Sequence, residues 1–380
     1  MATLDELRAQ LDALDGTIVE NVAARQRVIE EVTRVKAAAG ELLLRDVQRE
    51  EQILSRLSGL AQQHGLSGAF VRRLFREVLD YSLRSQQRYL LEQNNPGRLD
   101  GELVVAFQGA AGAYSHIAAE QHFAAHKAGL KCVGYNSFAA MLQAVTNREA
   151  DYGMLPVENT TAGSVNEAYD LLQHTSLSVV GEELLRVEHC LVGLPDAELE
   201  QIRHVYSHPQ ALAQSSLFLA GLRDCAVQAF TDTAMSVQKV RDERDPSQAA
   251  VASERAAALY GLKVLARNIE NQRGNYTRML VVAREPLQLD ERMGCKTSLI
   301  FSTRHEQGAL VRCLNVLSDA GLNLTKLESR PRPNSPFEYV FYVDFEGNLE
   351  SAAVQAALAA MRGHTSSLKV LGCYPAHALK

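Results

Sequence analysis

The stretch ELVVAFQGAAGAYSHIAA, residues 102–119, passes from an apolar run into a turn and then into a helical pattern. The run at 102–108 predicts a strand, and the glycines and alanines at 109–113 predict a tight turn before a helix. Strands alternating with helices predict an α/β domain over residues 102–285. The other expected strands lie at 152–156, 176–180, 189–193, 205–207, 226–230, 249–252 and 278–283.

The residues before this domain predict three helices and no strand. Residues 1–93 contain no proline, and apolar side chains recur there at steps of three and four. Helices are expected from the N-terminus to about Ala39, from Asp46 to His64 and from Ser67 to Gln93. Thr3 and Glu6 form a predicted capping box, Gly40 is a predicted helix stop, and NNPGRLDG (94–101) reads as a linker.

The residues after the α/β domain predict a third, smaller domain. A polar segment, EPLQLDERMG (285–294), separates it from the rest of the chain. Residues 296–380 then read strand, helix, strand, strand, helix, strand, which is the order of the α+β ferredoxin-like fold. The chain is therefore expected to be multidomain, with an all-α, an α/β and an α+β part.

Composition narrows the function classes. The formal net charge is −6 over 380 residues, which gives no general attraction to nucleic acid or to an anionic membrane. Six cysteines without a CxxC pair favour reduced thiols over disulfides or a metal site. The charged N-terminus has no signal core, and no run reaches the ~18 apolar residues of a membrane span. We expect a cytoplasmic protein without metal or cofactor.

The first helix carries charge where a core residue is expected. Positions 4, 11, 18, 25 and 32 form one heptad row, and Arg25 occupies a place suited to leucine or isoleucine. Lys36 lies about three turns further along the same face. Unpaired buried charge costs several kcal/mol, so a bundle with such inward groups must pair or use them. For Arg49 alone, a surface salt bridge is an equally good explanation.

This segment resembles the all-helical chorismate mutases. The resemblance implies that Arg8, Arg25 and Arg49 bind substrate carboxylates with help from Ser82, and that Lys36 and Gln86 contact the ether oxygen. It also implies that Asp46 and Glu50 hold the ring hydroxyl. The Claisen rearrangement gathers negative charge on that ether oxygen, where preorganised donors stabilise the transition state. The matching positions are Arg8, Arg25, Lys36, Asp46, Arg49, Glu50, Ser82 and Gln86.

The position of Arg8 predicts a dimer. It lies about 25 Å from Arg25 along one helix and roughly 100° around it, so one straight helix cannot aim both at one small molecule. A second copy of the helix, running antiparallel, could supply Arg8 to each site. We expect a homodimer or a higher homo-oligomer.

The middle segment places small polar residues where several strands end, and such helix starts attract anions. Each junction taken singly is explained as well by ordinary helix capping. QGAAGAYS (108–115) lacks the GxGxxG spacing of a dinucleotide site, and no phosphate-binding GxxxxGK[ST] loop is present.

Five strings in this segment together resemble prephenate dehydratase: FQGAAGAYS (107–115), PVENTTAGSV (156–165), SHPQALAQ (207–214), TDTA (231–234) and NYTRM (275–279). The resemblance implies two α/β lobes, like a periplasmic binding protein, with the second lobe at about 181–265. Thr277 would act at the leaving hydroxyl, and Arg278 could clamp a carboxylate. Met279 stands where the family usually has phenylalanine. The implied prephenate-binding residues are Glu158, Asn159, Thr160, Ser207, Gln214, Thr277 and Arg278.

The third segment resembles the phenylalanine-binding ACT domain of prephenate dehydratases. The resemblance rests on two strings, one that opens the first helix and one that ends the second strand, and without them a module for dimerisation alone is the better reading. The implied phenylalanine-binding residues are Gly308, Ala309, Leu310, Glu328, Ser329, Arg330 and Pro331.

Taken together, these resemblances imply an enzyme that converts chorismate to prephenate and prephenate to phenylpyruvate under allosteric feedback by phenylalanine. Thr277, Lys36 and Gln86 are the expected catalytic residues. The alternative is a non-catalytic amino-acid-responsive binding protein, and formation of phenylpyruvate from chorismate would distinguish the two.

Overall fold

A computed structural model of the chain describes residues 3–39, 46–126, 128–291, 293–304, 306–332 and 339–376. The N-terminal domain contains α1 (Leu4–Ala39), α2 (Val47–Gln63) and α3 (Gly68–Asn94). The capping box is confirmed, because Thr3 N donates to the Glu6 carboxylate at 2.8 Å and Glu6 N donates to Thr3 Oγ1 at 3.3 Å. Asp46 and Ser67 cap α2 and α3. The predicted stop at Gly40 lies outside the described residues.

The N-terminal half of α1 leaves its apolar stripe uncovered. Both α1 and α2 pack against α3, but α1 is the longest of the three helices and the apolar side chains of its first turns are exposed. The exposed fractions are Leu4 64%, Leu7 46%, Leu11 60%, Leu14 60% and Ile18 58%. An apolar stripe of this length is a surface suited to a partner helix.

The α/β domain has two lobes, and the first is built on a mixed sheet. Lobe one contains β1 (Leu103–Gln108), α4 (Tyr114–His122), β2 (Leu130–Tyr135), α5 (Phe138–Thr146), β3 (Tyr152–Asn159), β4 (Gly163–Ser164), α6 (Asn166–His174) and β5 (Ser178–Arg186). Its sheet has the strand order β2-β1-β3-β11-β5, in which β11 (Tyr276–Ala283) is a strand that returns from lobe two. The short strands β2 and β4 were not predicted.

Lobe two has its own five-stranded sheet. It contains β6 (Cys190–Gly193), β7 (His204–Ser207), α7 (Pro209–Gln214), α8 (Ser216–Leu219), β8 (Ala226–Ala229), α9 (Thr233–Glu243), β9 (Gln248–Ala252), α10 (Glu254–Tyr260) and β10 (Lys263–Ala266). The strand order is β10-β6-β9-β7-β8, and β10 was not predicted. The chain then returns to lobe one as β11 (Tyr276–Ala283), antiparallel to both β3 and β5.

The chain crosses into lobe two a few residues later than the expected position of about 181. Strand β5 runs through Gly181 and stays paired with β11 as far as Arg186, so the crossing follows that residue. Gly181 serves packing and does not mark a break, because a Cβ there would lie 3.1 Å from the ring of His122. The return follows Ala266, next to the predicted Leu265.

The C-terminal domain is a four-stranded antiparallel sheet with two helices. It contains β12 (Cys295–Thr303), α11 (Ala309–Asp319), β13 (Asn323–Pro331), β14 (Tyr339–Glu346), α12 (Ala352–His364) and β15 (Thr365–Pro375). The strand order is β13-β14-β12-β15, and neighbouring strands are antiparallel.

The C-terminal domain and lobe one share a hydrophobic core. Leu155 and Leu280 of lobe one belong to the same buried cluster as Ile300, Tyr342 and Leu371 of the C-terminal domain. The linker at 94–101 also bonds to the polar segment at 285–294, since Asn95 Nδ2 donates to the Gln288 carbonyl at 2.9 Å. The C-terminal domain is therefore packed onto lobe one as part of its structure. Within the described part of the chain, no helix is long and apolar enough to cross a membrane.

Candidate active sites

The helical domain brings two of its predicted site residues into direct contact. Arg25 Nη1 donates to Ser82 Oγ at 2.6 Å, which joins α1 to α3. Ser82 is only 3% exposed. Burial lowers the pKa of the Arg25 guanidinium, but a guanidinium keeps its charge at neutral pH. A cation therefore lies in the apolar row of α1, as the heptad pattern predicts.

The other predicted mutase residues lie on the same three helices and differ in exposure. Lys36 and Gln86 are half-buried on α1 and α3. Asp46 is the N-cap of α2, and its carboxylate accepts from Arg49 N at 2.9 Å. Arg8 is exposed beside Asp5, and α1 continues unbroken from it past Arg25. One chain therefore does not bring Arg8 to the Arg25–Ser82 pair.

The Thr277 cluster, which we define as Thr277, Asn159, Asn275, Thr161 and Gln214, lies where lobe one meets lobe two. Asn159 Nδ2 donates to Thr277 Oγ1 at 2.9 Å and to Asn275 Oδ1 at 2.7 Å. The carbonyl Asn159 Oδ1 accepts from Thr161 Oγ1 at 2.7 Å and from Gln214 Nε2 at 3.2 Å. Gln214 comes from α7 of lobe two, so this cluster bridges the two lobes.

The hydroxyl of Thr277 is held from one side only. Thr277 is 9% exposed, and its partner Asn159 is 6% exposed. Among the described residues, Thr277 Oγ1 accepts one hydrogen bond and donates none. Because the amide of Asn159 occupies a lone pair, the hydroxyl proton remains available to a bound molecule.

Two residues that sequence reasoning missed support Gln214. His189 Nε2 lies 2.8 Å from Gln214 Oε1, and His189 Nδ1 lies 2.8 Å from the hydroxyl of Tyr114. Burial lowers the pKa of the His189 imidazole. Neutral His189 can thus donate to Gln214 and accept from Tyr114. Tyr114 lies in the string FQGAAGAYS (107–115), whereas the only signal for His189 was a polar ring immediately before the buried strand β6.

Three predicted prephenate residues make contacts of another kind. Ser207 is fully buried, and its hydroxyl donates to the Val251 carbonyl at 2.6 Å. Thr160 is exposed, and its hydroxyl accepts from Tyr276 N at 2.9 Å. Glu158 accepts from Lys326 of the C-terminal domain at 2.9 Å. In the part of the chain that the structure describes, the side chains of these three residues make no hydrogen bond to a side chain of the Thr277 cluster.

The expectation that Arg278 clamps a substrate carboxylate beside Thr277 requires correction. Neighbouring residues of a strand point to opposite faces of the sheet. Thr277 faces the cleft, whereas Arg278 bonds Glu182 at 2.8 Å and Asp344 of the C-terminal domain at 2.5 Å.

Met279 is 1% exposed, in the core cluster that also contains Phe107.

The polar junction at the start of α9 holds a carboxylate of the protein itself. Asp232 accepts from Ala234 N at 2.6 Å and from Met235 N at 3.3 Å. Its other oxygen accepts from Ala110 N in lobe one at 3.2 Å. The anion at this helix start is therefore internal, and it links the two lobes.

The predicted phenylalanine residues divide between two surfaces. Gly308 has a φ of 73° and precedes α11. Along β13, Glu328 accepts from Ser164 at 2.5 Å and Arg330 pairs with Asp170 at 3.0 Å, so both face lobe one. Ser329 and Pro331 alternate with them and are exposed, Ala309 is buried and Leu310 is half-buried.

Two family models match the chain. The model described as prephenate dehydratase matches residues 105–287. The model described as chorismate mutase type II matches residues 7–87. The first match covers both lobes, and the second covers the Arg25–Ser82 pair.

Known proteins match over 97% of this chain in one case and over 72% of it in two others. The bifunctional chorismate mutase/prephenate dehydratase of Escherichia coli K12 is 40% identical over 369 residues, covering 97% of this chain and 95% of the relative. The prephenate dehydratase of Arthrobacter aurescens, solved in complex with L-Phe, is 27% identical with a TM-score of 0.65, covering 72% of this chain and 90% of that chain. A solved structure described as GqqA, a novel type of quorum quenching acylase, is 36% identical with a TM-score of 0.66, covering 72% and 98%.

Proposed function

The chain belongs to the family of bifunctional chorismate mutase/prephenate dehydratases, and from this premise we propose where each reaction takes place and how the enzyme is regulated. It is an enzyme with both activities, so a purely binding role is set aside. We assign the mutase to residues 1–93, the dehydratase to 102–285 and a regulatory ACT domain to 296–380. The Thr277 cluster, at the contact between the lobes, is the observation that carries the dehydratase site.

The mutase site is assigned to the groove beside Arg25 and Ser82. Arg8, Arg25 and Arg49 bind the two carboxylates of chorismate, while Asp46 and Glu50 hold the ring hydroxyl. Lys36 and Gln86 donate to the ether oxygen, which gains negative charge as its C–O bond breaks. The site also holds the substrate in a compact conformation that approaches the transition state. The contact between Arg25 and Ser82 at 2.6 Å supports this placement.

Each mutase site is completed by a second copy of the chain. The exposed stripe from Leu4 to Ile18 on α1 would be covered by an antiparallel α1, which carries the partner's Arg8 toward Arg25. This homodimer accounts for both the uncovered apolar surface and the distance between the two arginines.

A mixing experiment tests the shared site. An Arg8→Ala chain and a Lys36→Ala chain should each lack mutase activity alone. After subunit exchange, heterodimers regain one intact site, so an equal mixture should recover about a quarter of wild-type activity, as expected for a twofold-symmetric dimer. Mixing Lys36→Ala with Arg25→Ala is the control, because both residues come from one chain and no site is restored. Equal recovery in both mixtures, or in neither, would contradict the shared site.

In the dehydratase site, Thr277 acts on the ring hydroxyl that leaves as carbon dioxide is lost. Asn159 occupies a lone pair of Thr277 Oγ1 and leaves the proton directed at the substrate. Gln214, held by His189, keeps lobe two closed on this hydroxyl. Since Arg278 faces away, the carboxylates of prephenate are left to neutral donors at the lobe junction, with Thr160 at its exposed rim.

Phenylalanine is assigned to the C-terminal domain as a feedback inhibitor. The start of α11 and the exposed side of β13 offer the groups that would hold an amino acid, and the Arthrobacter aurescens relative was solved with L-Phe bound. The site lies outside both catalytic domains, so inhibition is allosteric: phenylalanine favours a less active arrangement of the dehydratase lobes.

A pair of glycine variants tests this assignment. In Gly308→Ala, the residue leaves its left-handed conformation, and binding must restore it at roughly 1–2 kcal/mol. Phenylalanine inhibition should then require about 5- to 30-fold more ligand. Gly321→Ala is the matched control, because Gly321 has a φ of 71° at the other end of α11, against 73° at Gly308. If both variants shift inhibition equally, or neither does, the assignment to the start of α11 fails. Calorimetry of phenylalanine binding gives the affinities.

We place the enzyme in the cytoplasm. All six cysteines fall within the described residues as free thiols. Unpaired cysteines in this number are typical of a reducing compartment.

A further inference from the structure

A buried charge cluster joins the strand of Thr277 to the C-terminal domain. Glu182 of lobe one accepts from Arg278 Nε at 2.8 Å and from Lys296 Nζ at 2.7 Å. Arg278 Nη1 donates to Asp344 Oδ2 at 2.5 Å, and Nη2 donates to the Tyr374 hydroxyl at 2.9 Å. Lys296, Asp344 and Tyr374 all belong to the C-terminal domain.

The four charged side chains of this cluster are almost completely buried, and their two positive and two negative charges cancel. The exposed side-chain fractions are Arg278 12%, Glu182 1%, Lys296 10% and Asp344 11%. Burial alone would lower the pKa of Arg278, but Asp344, Tyr374 and Glu182 together raise it above its usual range. Two cations thus face two carboxylates, and loss of one carboxylate leaves an excess of buried positive charge.

The strand geometry connects this cluster to the catalytic face. On neighbouring strands β11 and β3, Thr277 is paired with Asn159 and Arg278 with Glu158. Thr277 and Asn159 bond each other on the cleft side. On the far side, Arg278 bonds Asp344 and Glu158 bonds Lys326, both in the C-terminal domain. Each strand that presents a cleft residue is therefore held, one residue away, by the C-terminal domain.

We propose that Arg278 is a positioning residue for the dehydratase reaction, through which the C-terminal domain holds Thr277 against Asn159. The proposal rests on the role assigned to Thr277 above. The Arg278 guanidinium is bonded to three groups, so it restrains the backbone of β11 at that residue. The hydroxyl of Thr277 is on the next residue of the strand, so its position is restrained as well. An error of 1 Å in placing a reacting group can lower a rate about 10²-fold.

The same contacts give the C-terminal domain a route to the active site. Two residues of its sheet make these contacts: Asp344 on β14 bonds Arg278, and Lys326 on β13 bonds Glu158. A shift of that sheet against lobe one would move Arg278 and Glu158, and with them the spacing of Thr277 and Asn159. The coupling is thus carried by named contacts and can be measured by substitution.

The test compares two ways of loosening the same domain interface in the full-length enzyme. Asp344→Asn removes one of the two carboxylates that Arg278 bonds, the one that belongs to the C-terminal domain. Lys369→Met is the control: Lys369 Nζ donates to the carbonyls of Leu172, Gln173 and Thr175 at the end of α6, away from β11. Dehydration is measured on supplied prephenate without phenylalanine, and thermal unfolding reports the folded fraction.

Asp344→Asn should lower kcat about 10- to 100-fold while KM for prephenate stays within about twofold and mutase activity is unchanged. Lys369→Met should keep kcat within about twofold even where it lowers Tm more. Arg278→Lys keeps the charge but not the three-point geometry, so it should recover part of the activity lost in Arg278→Met. On a Thr277→Ser background, Asp344→Asn should cost less, because the two residues act on one step.

Equal effects of Asp344→Asn and Lys369→Met would overturn the proposal, as would a rise in KM at constant kcat. If Asp344→Asn is too unstable to assay, comparison of Arg278→Lys with Arg278→Met decides, and equal kcat in those two variants overturns the proposal. The role of Thr277 is judged separately by Thr277→Val. An inactive Thr277→Val enzyme together with a normal dehydration kcat for Asp344→Asn would contradict only the positioning role of Arg278.

Discussion

Replacing Thr277 with valine is expected to stop phenylpyruvate formation, so that prephenate accumulates from chorismate. Valine keeps the shape and branching of threonine but removes the hydroxyl that Asn159 Nδ2 bonds at 2.9 Å. Loss of one donor aimed at developing charge lowers kcat about 10²–10³-fold. Ultraviolet absorbance follows phenylpyruvate, and consumption of chorismate reports the mutase in the same sample.

Thr277→Ser is the matched control for this prediction. Serine keeps the hydroxyl and loses only a methyl group, so it should retain most of the dehydratase activity. Mutase activity should be unchanged in both variants, because Arg25 and Ser82 lie in a separate domain. Near-normal dehydration by Thr277→Val would remove Thr277 from the site.

Lys36→Ala is expected to cause a similar loss in the other reaction. The ammonium group of Lys36 is assigned to the ether oxygen of chorismate, and one such donor contributes about 2.7–4 kcal/mol, or about 10²–10³ in rate. Chorismate consumption should slow accordingly. Dehydration of supplied prephenate should continue at the wild-type rate.

Arg34→Ala controls for the loss of a cation from α1. Arg34 is exposed two residues before Lys36, so its removal should leave both activities within about twofold of wild type. If dehydration also fell in a folded Lys36→Ala enzyme, the two reactions would not have separate sites. Equal mutase losses in the two variants would instead point to a general effect of helix charge.

Local sequence signals were sufficient for most of the fold. The helices of the N-terminal domain follow from apolar spacing and from caps such as Thr3, Asp46 and Ser67, all of which act within a few residues. Strands β2, β4 and β10 were missed. The first of these is a half-buried edge strand, β4 has two residues, and β10 has four half-buried residues. None of the three gives the buried or strictly alternating pattern by which a strand is recognised.

The cleft could be predicted only in part, because its contacts join distant residues. Asn159 and Gln214 were identified from motifs, but the support that His189 and Tyr114 give to Gln214 crosses long stretches of sequence. The position of Gly181 was misread for a similar reason. A glycine can mark a break or a close approach, and only the ring of His122 beside it decides which.

The sequence by itself determined the helical N-terminal segment, the alternation of strands and helices that follows it and, through motifs that resemble known families, the two chemistries. It did so because helix periodicity, capping and motif composition are properties of neighbouring residues. Tertiary structure alone decided that Thr277 faces the cleft and Arg278 faces the C-terminal domain. Both faces of the lobe-one sheet are covered, so hydrophobic alternation cannot tell which face meets the substrate. That choice depends on Asp344, which reaches Arg278 from 66 residues along the chain.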